Sequence, residues 1–419
     1  MRRVVLSGLI SVLACQIPVA NAELTWSGFL TAAGAASNVK FLNTGAEPLY
    51  LGYVAKQISF DKDSVLGMQL VKEIDESFSA TGQLVVAGKR DWDVHATRAF
   101  FKYSPTDNWH WKMGRVPVGY LIHSEDVFET NKYPWITLPE SLYDMIPFHY
   151  LDGVSGGVKY NFLKRNLKLK ATYGALSEHT TTPVTDVDLK YKLRQLINLV
   201  GTFGDDVLKI HGSFSVGRLT WGPNTTNELT NAFINNTLIG GGLLGLDYQN
   251  YLSVVNERIQ YQSLGYSLQW KKLISYSELL RRKSGAAIIP NLNAWYVMFG
   301  VRHLDLIPYV SFARQRITDN RTRRFSGAVN TAALAPIPGG LGNTLDVVLQ
   351  NVAEGMDGPA AGSQSAYTAG IQWNVIEKVA VKASVEHIHP DKNSSGLFNI
   401  APHKSVNIYR IGVDTSFEA

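Results

Sequence analysis

The residues best suited to chemistry are ten histidines, one cysteine and scattered carboxylates, and their spacing builds no reaction centre. No H-E-x-x-H or comparable ligand pattern occurs. His387 and His389 straddle one residue and share a strand face, yet two imidazoles are only part of a metal site. No metal and no other cofactor is therefore expected. A G-x-S-x-G elbow, a phosphate-binding loop and a dinucleotide fingerprint are all missing from a supporting context, and Ser124 beside His123 is too generic for a catalytic pair. Gly240–Gly245 is rich in glycine but reads as a flexible loop. What remains is charge placed on one side of apolar stripes, and that chemistry is electrostatic.

Such placement needs strands. In Tyr409–Phe417, the alternate residues Tyr409, Ile411, Val413, Thr415 and Phe417 form a mostly apolar face, with Arg410, Gly412, Asp414 and Ser416 opposite. Successive side chains of a strand point to opposite faces, so one face suits lipid and the other water. Val379, Val381, Ala383 and Val385 alternate with Lys382, Ser384 and Glu386 in the same way. Arg410, Asp414, Lys382 and Glu386 are thus expected to face a lumen, either touching solute or forming a structural ion-pair ladder. Leu264, Tyr266, Leu268 and Trp270, and then Tyr367, Ala369, Ile371 and Trp373, make two more stripes. A soluble sandwich also alternates, but its apolar faces must bury one another and its connections are short.

Sixteen segments follow this rule: 24–33, 66–72, 78–88, 95–103, 109–115, 152–162, 167–177, 190–203, 207–220, 258–270, 273–282, 293–301, 307–315, 365–373, 379–387 and 405–417. Tight turns such as Glu73–Ser77, Ser104–Asn108 and Lys271–Lys272 alternate with long connections, the longest over 34–60, 116–151, 221–257 and 316–362. Glycine and proline in 327–362 predict mobility there. The fold class expected is all-β, a transmembrane antiparallel β-barrel of about 16 strands with long external loops and short periplasmic turns. Its domain would occupy residues 23–419.

The N-terminus fits export. Arg2 and Arg3 precede the apolar run Val4–Ala14, and Ala20-Asn-Ala22 is a cleavage site, so residues 1–22 read as a signal peptide. A lipoprotein signal ending at Cys15 is the competing reading. Cleavage after Ala22 removes the single cysteine, and with it any disulfide or thiol chemistry. The net charge of +5 falls by two to +3 without Arg2 and Arg3, and no basic tract or nucleic-acid fold signature appears, so no nucleic-acid partner is expected.

Several segments resemble the proteobacterial general porins, specifically the Gram-negative outer-membrane porin family of about 400 residues. They are Ser104-Pro-Thr-Asp-Asn-Trp109, Lys112-Met-Gly-Arg115, Tyr133-Pro-Trp135, Pro139-Glu140, Phe148-His-Tyr-Leu-Asp-Gly153, Asn293-Ala-Trp-Tyr-Val-Met298 and Ile307-Pro-Tyr-Val-Ser-Phe-Ala-Arg314. Members usually end on an aromatic residue, whereas Glu418 and Ala419 follow Phe417 here.

The resemblance implies a homotrimer in the outer membrane of a Gram-negative bacterium, in contact with its lipid and lipopolysaccharide, passing small hydrophilic solutes. It also implies that the third external loop, 116–151, folds inward to narrow the pore. That loop carries Glu125, Asp126, Glu129, Glu140 and Asp144 against the single base Lys132. If Ala99, Phe101, Tyr103, Trp109, Trp111 and Met113 face lipid, then Arg98, Lys102, His110 and Lys112 face the lumen. With Lys382 and Arg410, these bases make the opposing wall. Acid facing base across a constriction creates a transverse field that sorts solutes.

A passive diffusion channel, not an enzyme, is the leading expectation. The alternatives are a channel selective for sugars, anions or peptides, with Trp92, Tyr120, Tyr133 and Trp135 as a stacking track, or else an outer-membrane enzyme or an adhesin.

Overall fold

The computed structural model describes residues 24–40, 48–51, 54–162, 165–182, 187–222, 254–286, 289–319, 362–392, 394–398, 401–402 and 404–418. The expected signal peptide, the Gly240–Gly245 loop and nearly all of the connections 221–257 and 316–362 lie outside these residues. Sixteen strands pair antiparallel, each with its neighbours in sequence, and the first pairs with the last to close a barrel. They are β1 (Leu24–Ser37), β2 (Val65–Glu73), β3 (Phe78–Ala87), β4 (Val94–Thr106), β5 (Trp109–Pro117), β6 (Tyr150–Phe162), β7 (Arg165–Thr182) and β8 (Val187–Gly204). The second half comprises β9 (Leu208–Gly222), β10 (Val254–Trp270), β11 (Leu273–Ser284), β12 (Leu292–Val301), β13 (Leu306–Ile317), β14 (Gln364–Ile376), β15 (Val379–Pro390) and β16 (Val406–Glu418).

Closure satisfies the backbone of every strand on both sides, the condition for crossing lipid without helices. The outer face is apolar: Leu66, Leu84, Met113, Leu199, Leu264, Val310 and Ile411 are all exposed there. Aromatic residues edge this band. Near the short turns, Phe78 stacks on Tyr103 at 4.5 Å and Trp109 meets Trp111 at 6.3 Å. Toward the long loops, Phe312 lies 5.1 Å from Trp295 and 4.8 Å from Tyr367. Two aromatic girdles around an apolar band mark a barrel seated in a bilayer.

Local chemistry sets the turns. Asp75 accepts hydrogen bonds from the amides of Ser77 and Phe78, and Asp205 does the same for Val207 and Leu208. At the seam, Phe417 lies over Gly28, where a Cβ would fall 2.2 Å from its ring, and packs 5.8 Å from Trp26. The terminal aromatic therefore locks the last strand to the first.

Leu264 points to lipid near mid-height of β10, whereas Ser267 of the same strand points inward. Leu264→Arg should lower stability by about 2–4 kcal/mol, as for a cation at the bilayer midplane, while Ser267→Arg should cost far less. Urea unfolding in lipid vesicles measures both.

Candidate functional site

Between β5 and β6 the chain does not project outward. Residues 118–149, hereafter L3, turn into the barrel with only a short helix, α1 (Glu140–Tyr143), and two single 3-10 turns. Its apolar side chains build the interior core. Tyr120, Leu121, Tyr133, Trp135, Leu142 and Ile146 are buried against inward residues of β10–β13. Trp135 packs 5.4 Å from Tyr276, 5.9 Å from Tyr296 and 6.2 Å from Tyr309, and Tyr120 meets Tyr261 at 5.5 Å. The inner face of these strands is apolar because a loop covers it.

Burying a loop leaves backbone groups without water, and each needs a partner. Tight turns within L3 pair many of them, as in Asp126 N–H to His123 O and Met145 N–H to Leu142 O, and four wall residues supply partners for others. Lys382 on β15 donates to the carbonyls of Thr130, Tyr133 and Trp135 at 2.7, 2.7 and 2.9 Å, while its charge pairs with Asp414 at 2.5 Å. Glu278 on β11 accepts from the Ile122 amide at 2.6 Å, the Tyr143 hydroxyl at 2.6 Å and the Tyr296 hydroxyl at 3.0 Å. Tyr120 O accepts from Ser213 and Ser263, both at 2.6 Å. On the β1 side, Thr130 and Thr31 share a hydroxyl hydrogen bond.

The ten site residues expected from sequence fall into two groups. Glu140, Lys382 and Arg410 are buried: Glu140 pairs with Lys62 and, at 3.0 Å, with Arg410, which also binds Glu386 at 2.6 Å and Asp63 at 3.3 Å. The expectation of an open basic wall at Lys382 and Arg410 gives way to the other reading, the structural ion-pair ladder, because L3 covers Lys382 and L3 with the first loop covers Arg410. Asp144 pairs with Lys89 of the second loop and lies mostly covered.

Of the other six, Glu125, Asp126, Lys102 and Lys112 stand where water reaches, while Arg98 and Glu129 are mostly covered. Arg98 on β4 binds the Glu125 carbonyl at 2.8 Å, Asp126 at 3.0 Å and Glu129 at 2.9 Å. Glu125 pairs with Lys170 of β7, and Lys132 binds Asp126 and Glu129 at 2.9 and 2.8 Å. The side chains of Glu125, Asp126 and Lys132 remain 37, 32 and 43 % exposed inside the barrel. Lys102 and Lys112 point inward half-exposed, with Lys112 Nζ 4.9 Å from the Phe100 ring centre. The structure thus joins acids of L3 to a basic wall, with Lys170 in the place given to Lys382 and Arg410. Lys170 was missed, although Leu167, Leu169 and Ala171 alternate with Lys168 and Lys170 as plainly as the stripes that were used. Glu278 gave no signal, since Tyr276 and Leu280 beside it on the inner face are apolar.

The aromatic residues Tyr120, Tyr133 and Trp135 are buried in the L3 core, and Trp92 is exposed at the outer rim. His387 and His389 lie exposed, bound to Asn407 and Ser405 at 2.7 and 2.8 Å. Among the described residues no group of three or more His, Cys, Asp or Glu could hold a metal ion.

Neither protein-family models nor curated protein sequences match this chain. Solved structures do. OmpF of Salmonella typhi, in complex with daunomycin, aligns over 94 % of this chain and 98 % of its own at a TM-score of 0.54 and 9 % identity. The trimer form of OmpT, an outer-membrane protein of Vibrio cholerae, aligns over 94 % and 99 % at 0.51 and 12 % identity. The outer-membrane channel DcaP of Acinetobacter baumannii aligns over 94 % and 97 % at 0.50 and 10 % identity. The chain has the outer-membrane porin fold. At these identities the likeness is one of backbone, so the charges at L3 are this chain's own.

Two predictions concern the hold on L3. Lys382→Met strands Asp414 and three carbonyls in a buried site, and it should cost about 3–5 kcal/mol. Proteolytic cleavage within 118–149 of the folded barrel should rise sharply, and an unchanged pattern would show that Lys382 does not hold the loop.

Acid should loosen L3 in two stages. Burial pushes the His123 imidazole from 6.5 down to about 4, with Lys132 and His211 lowering it and Asp126 raising it. The released loop takes up a proton that the packed ring refuses, so anchoring weakens as pH falls from about 6.5 to 4. Burial opposes ionisation of Glu140, but Lys62 and Arg410 outweigh it and hold the carboxyl near 2 instead of 4.5. Its contribution is complete above about 4.5 and is lost as pH falls toward 2. Hydrogen exchange of L3 peptides, corrected for intrinsic rates, should show both stages, and His123→Phe should abolish the first.

Proposed function

We propose that the chain is a passive diffusion channel of a Gram-negative outer membrane, carrying small hydrophilic solutes and ions as a homotrimer, without catalytic activity. The observation that carries this reading is a loop fixed inside a closed barrel whose charged flank, Glu125, Asp126 and Lys132, still meets water. A buried plug would neutralise or cover those groups, since isolated charges out of water are costly. The apolar outer band with its aromatic girdles suits outer-membrane lipid and lipopolysaccharide. The trimer form of Vibrio cholerae OmpT supports the assembly, and the channel DcaP supports the activity.

Within this reading, Glu125, Asp126 and Glu129 form the loop side of the constriction, with Arg98, Lys102 and Lys112 on the wall. Lys170 joins them. Glu140, Asp144, Lys382 and Arg410 serve to hold L3 in place. Burial of Tyr120, Tyr133 and Trp135 removes the stacking track that favoured a sugar-selective channel.

Purified mature protein in a planar bilayer should give discrete current steps in groups of three. Silence from protein shown to be folded overturns the proposal. Glu125→Gln with Asp126→Asn should move the reversal potential toward anions, and an unchanged value would remove both acids from the constriction.

A further inference from the structure

The strongest asymmetry of the interior lies below L3, on the wall formed by β4–β7. Lys102, His110, Lys112, Lys159, Lys168 and Lys170 all lie on the inward face there, as the outward exposure of Phe101, Trp111, Tyr160 and Leu169 on the alternate positions requires. Among the described residues of these strands, the one inward carboxylate is Glu178, at the far loop end of β7, where Arg90 meets it at 3.8 Å; Asp152 faces outward, held by Arg115 at 2.7 Å.

The cations are also placed against one another. Lys102 is the direct cross-strand partner of Lys112, and Lys159 is that of Lys168. His110 and Lys170 flank Gly157 between these pairs. Like charges directly opposed on one face are destabilising. Uncharged polar residues, such as Ser79, Thr81 and Gln83 on the inner face of β3 or Thr368 and Gln372 on that of β14, would avoid that cost.

Among the described residues, Lys170 finds a carboxylate in Glu125, while Lys102, Lys112, Lys159 and Lys168 make no ion pair. The L3 acids do not balance them, because Glu125, Asp126, Glu129, Glu140 and Asp144 are each already joined to a cation. The charge left over on the described wall of β4–β7 is therefore positive. A row of fixed cations along a water passage with low-dielectric walls concentrates anions and repels cations. The spacing of directly opposed lysines also lets one oxyanion bridge two ammonium groups.

We infer that this channel prefers anions, and that paired lysines on β4–β7 form a track for small multiply charged oxyanions such as phosphates and polycarboxylates. The inference rests on the channel reading above and deepens it.

Two readouts test it. In a tenfold gradient of dilute KCl, where screening is weak, the wild-type reversal potential should have the sign of chloride permeation. Lys102→Glu with Lys112→Glu should bring the chloride-to-potassium permeability ratio below one, while Lys159→Gln with Lys168→Gln should lower it less. Cation preference in the wild type, or a ratio that neither pair changes, overturns the inference and leaves the channel standing.

The second readout needs no current. Inorganic pyrophosphate should protect Lys102, Lys112, Lys159 and Lys168 from acetylation in the folded protein, read by mass spectrometry, while outward-facing Lys283 should react at an unchanged rate. Equal acetylation with and without pyrophosphate counts against the track even if the protein conducts. Protection in a protein that carries no current would instead sink the channel reading and keep the oxyanion site.

Discussion

The structure depends on one constraint: a long loop is folded into a barrel, and every backbone group it takes from water must find a partner there. Helices and strands solve that problem by their own ladders. L3 has only isolated turns, which pair part of its backbone, and the wall pairs much of the rest. Lys382 is central because one buried ammonium meets three loop carbonyls while Asp414 balances its charge. Neither the charge nor the carbonyls would be tolerable there alone. Glu278 does the complementary work, accepting from one amide and two hydroxyls.

This division of labour separates two kinds of interior charge. The kind held between L3 and β15–β16 is dry and structural: three carboxylates, Asp63, Glu140 and Glu386, and two bases, Lys62 and Arg410, form one connected network. The kind on the side of L3 toward β4–β7 is wet and only partly paired. The first set is shut away from water, so it acts on the loop more than on passing ions. Those in the second remain available to the lumen. The packing of the loop toward β10–β13 decides which set a residue joins.

The strands were legible because a lipid-facing stripe and a water-facing stripe impose period two on the sequence. All sixteen expected segments correspond to observed strands. The ends were less legible. β1 runs on to Ser37, β7 to Thr182, and β8 starts at Val187; in β1 the added residues Gly34, Ala35 and Ser37 are buried without an apolar–polar alternation to mark them. The same rule that revealed the strands failed on the inner face of β11. Ile274, Tyr276 and Leu280 look as apolar as a lipid stripe, and only the loop packed on them explains why. Burial of Arg410 was equally hidden, because Glu140, which helps cover it, lies 270 positions away in the chain. Arg98, in contrast, could be placed from alternation alone, and it does meet the L3 acids.

A disulfide trap would fix L3 at its place inside a conducting barrel. The single native cysteine, Cys15, lies in the expected signal peptide, so Thr31→Cys with Thr130→Cys places one thiol pair where two hydroxyls now touch. The measurement is disulfide formation in the membrane-inserted protein, followed by recording of the oxidised species. Cross-linking should be rapid and nearly complete, with conductance retained. A pair that stays reduced under oxidising conditions would place L3 elsewhere, and a cross-linked barrel that no longer conducts would mean that the path requires the loop to leave this position.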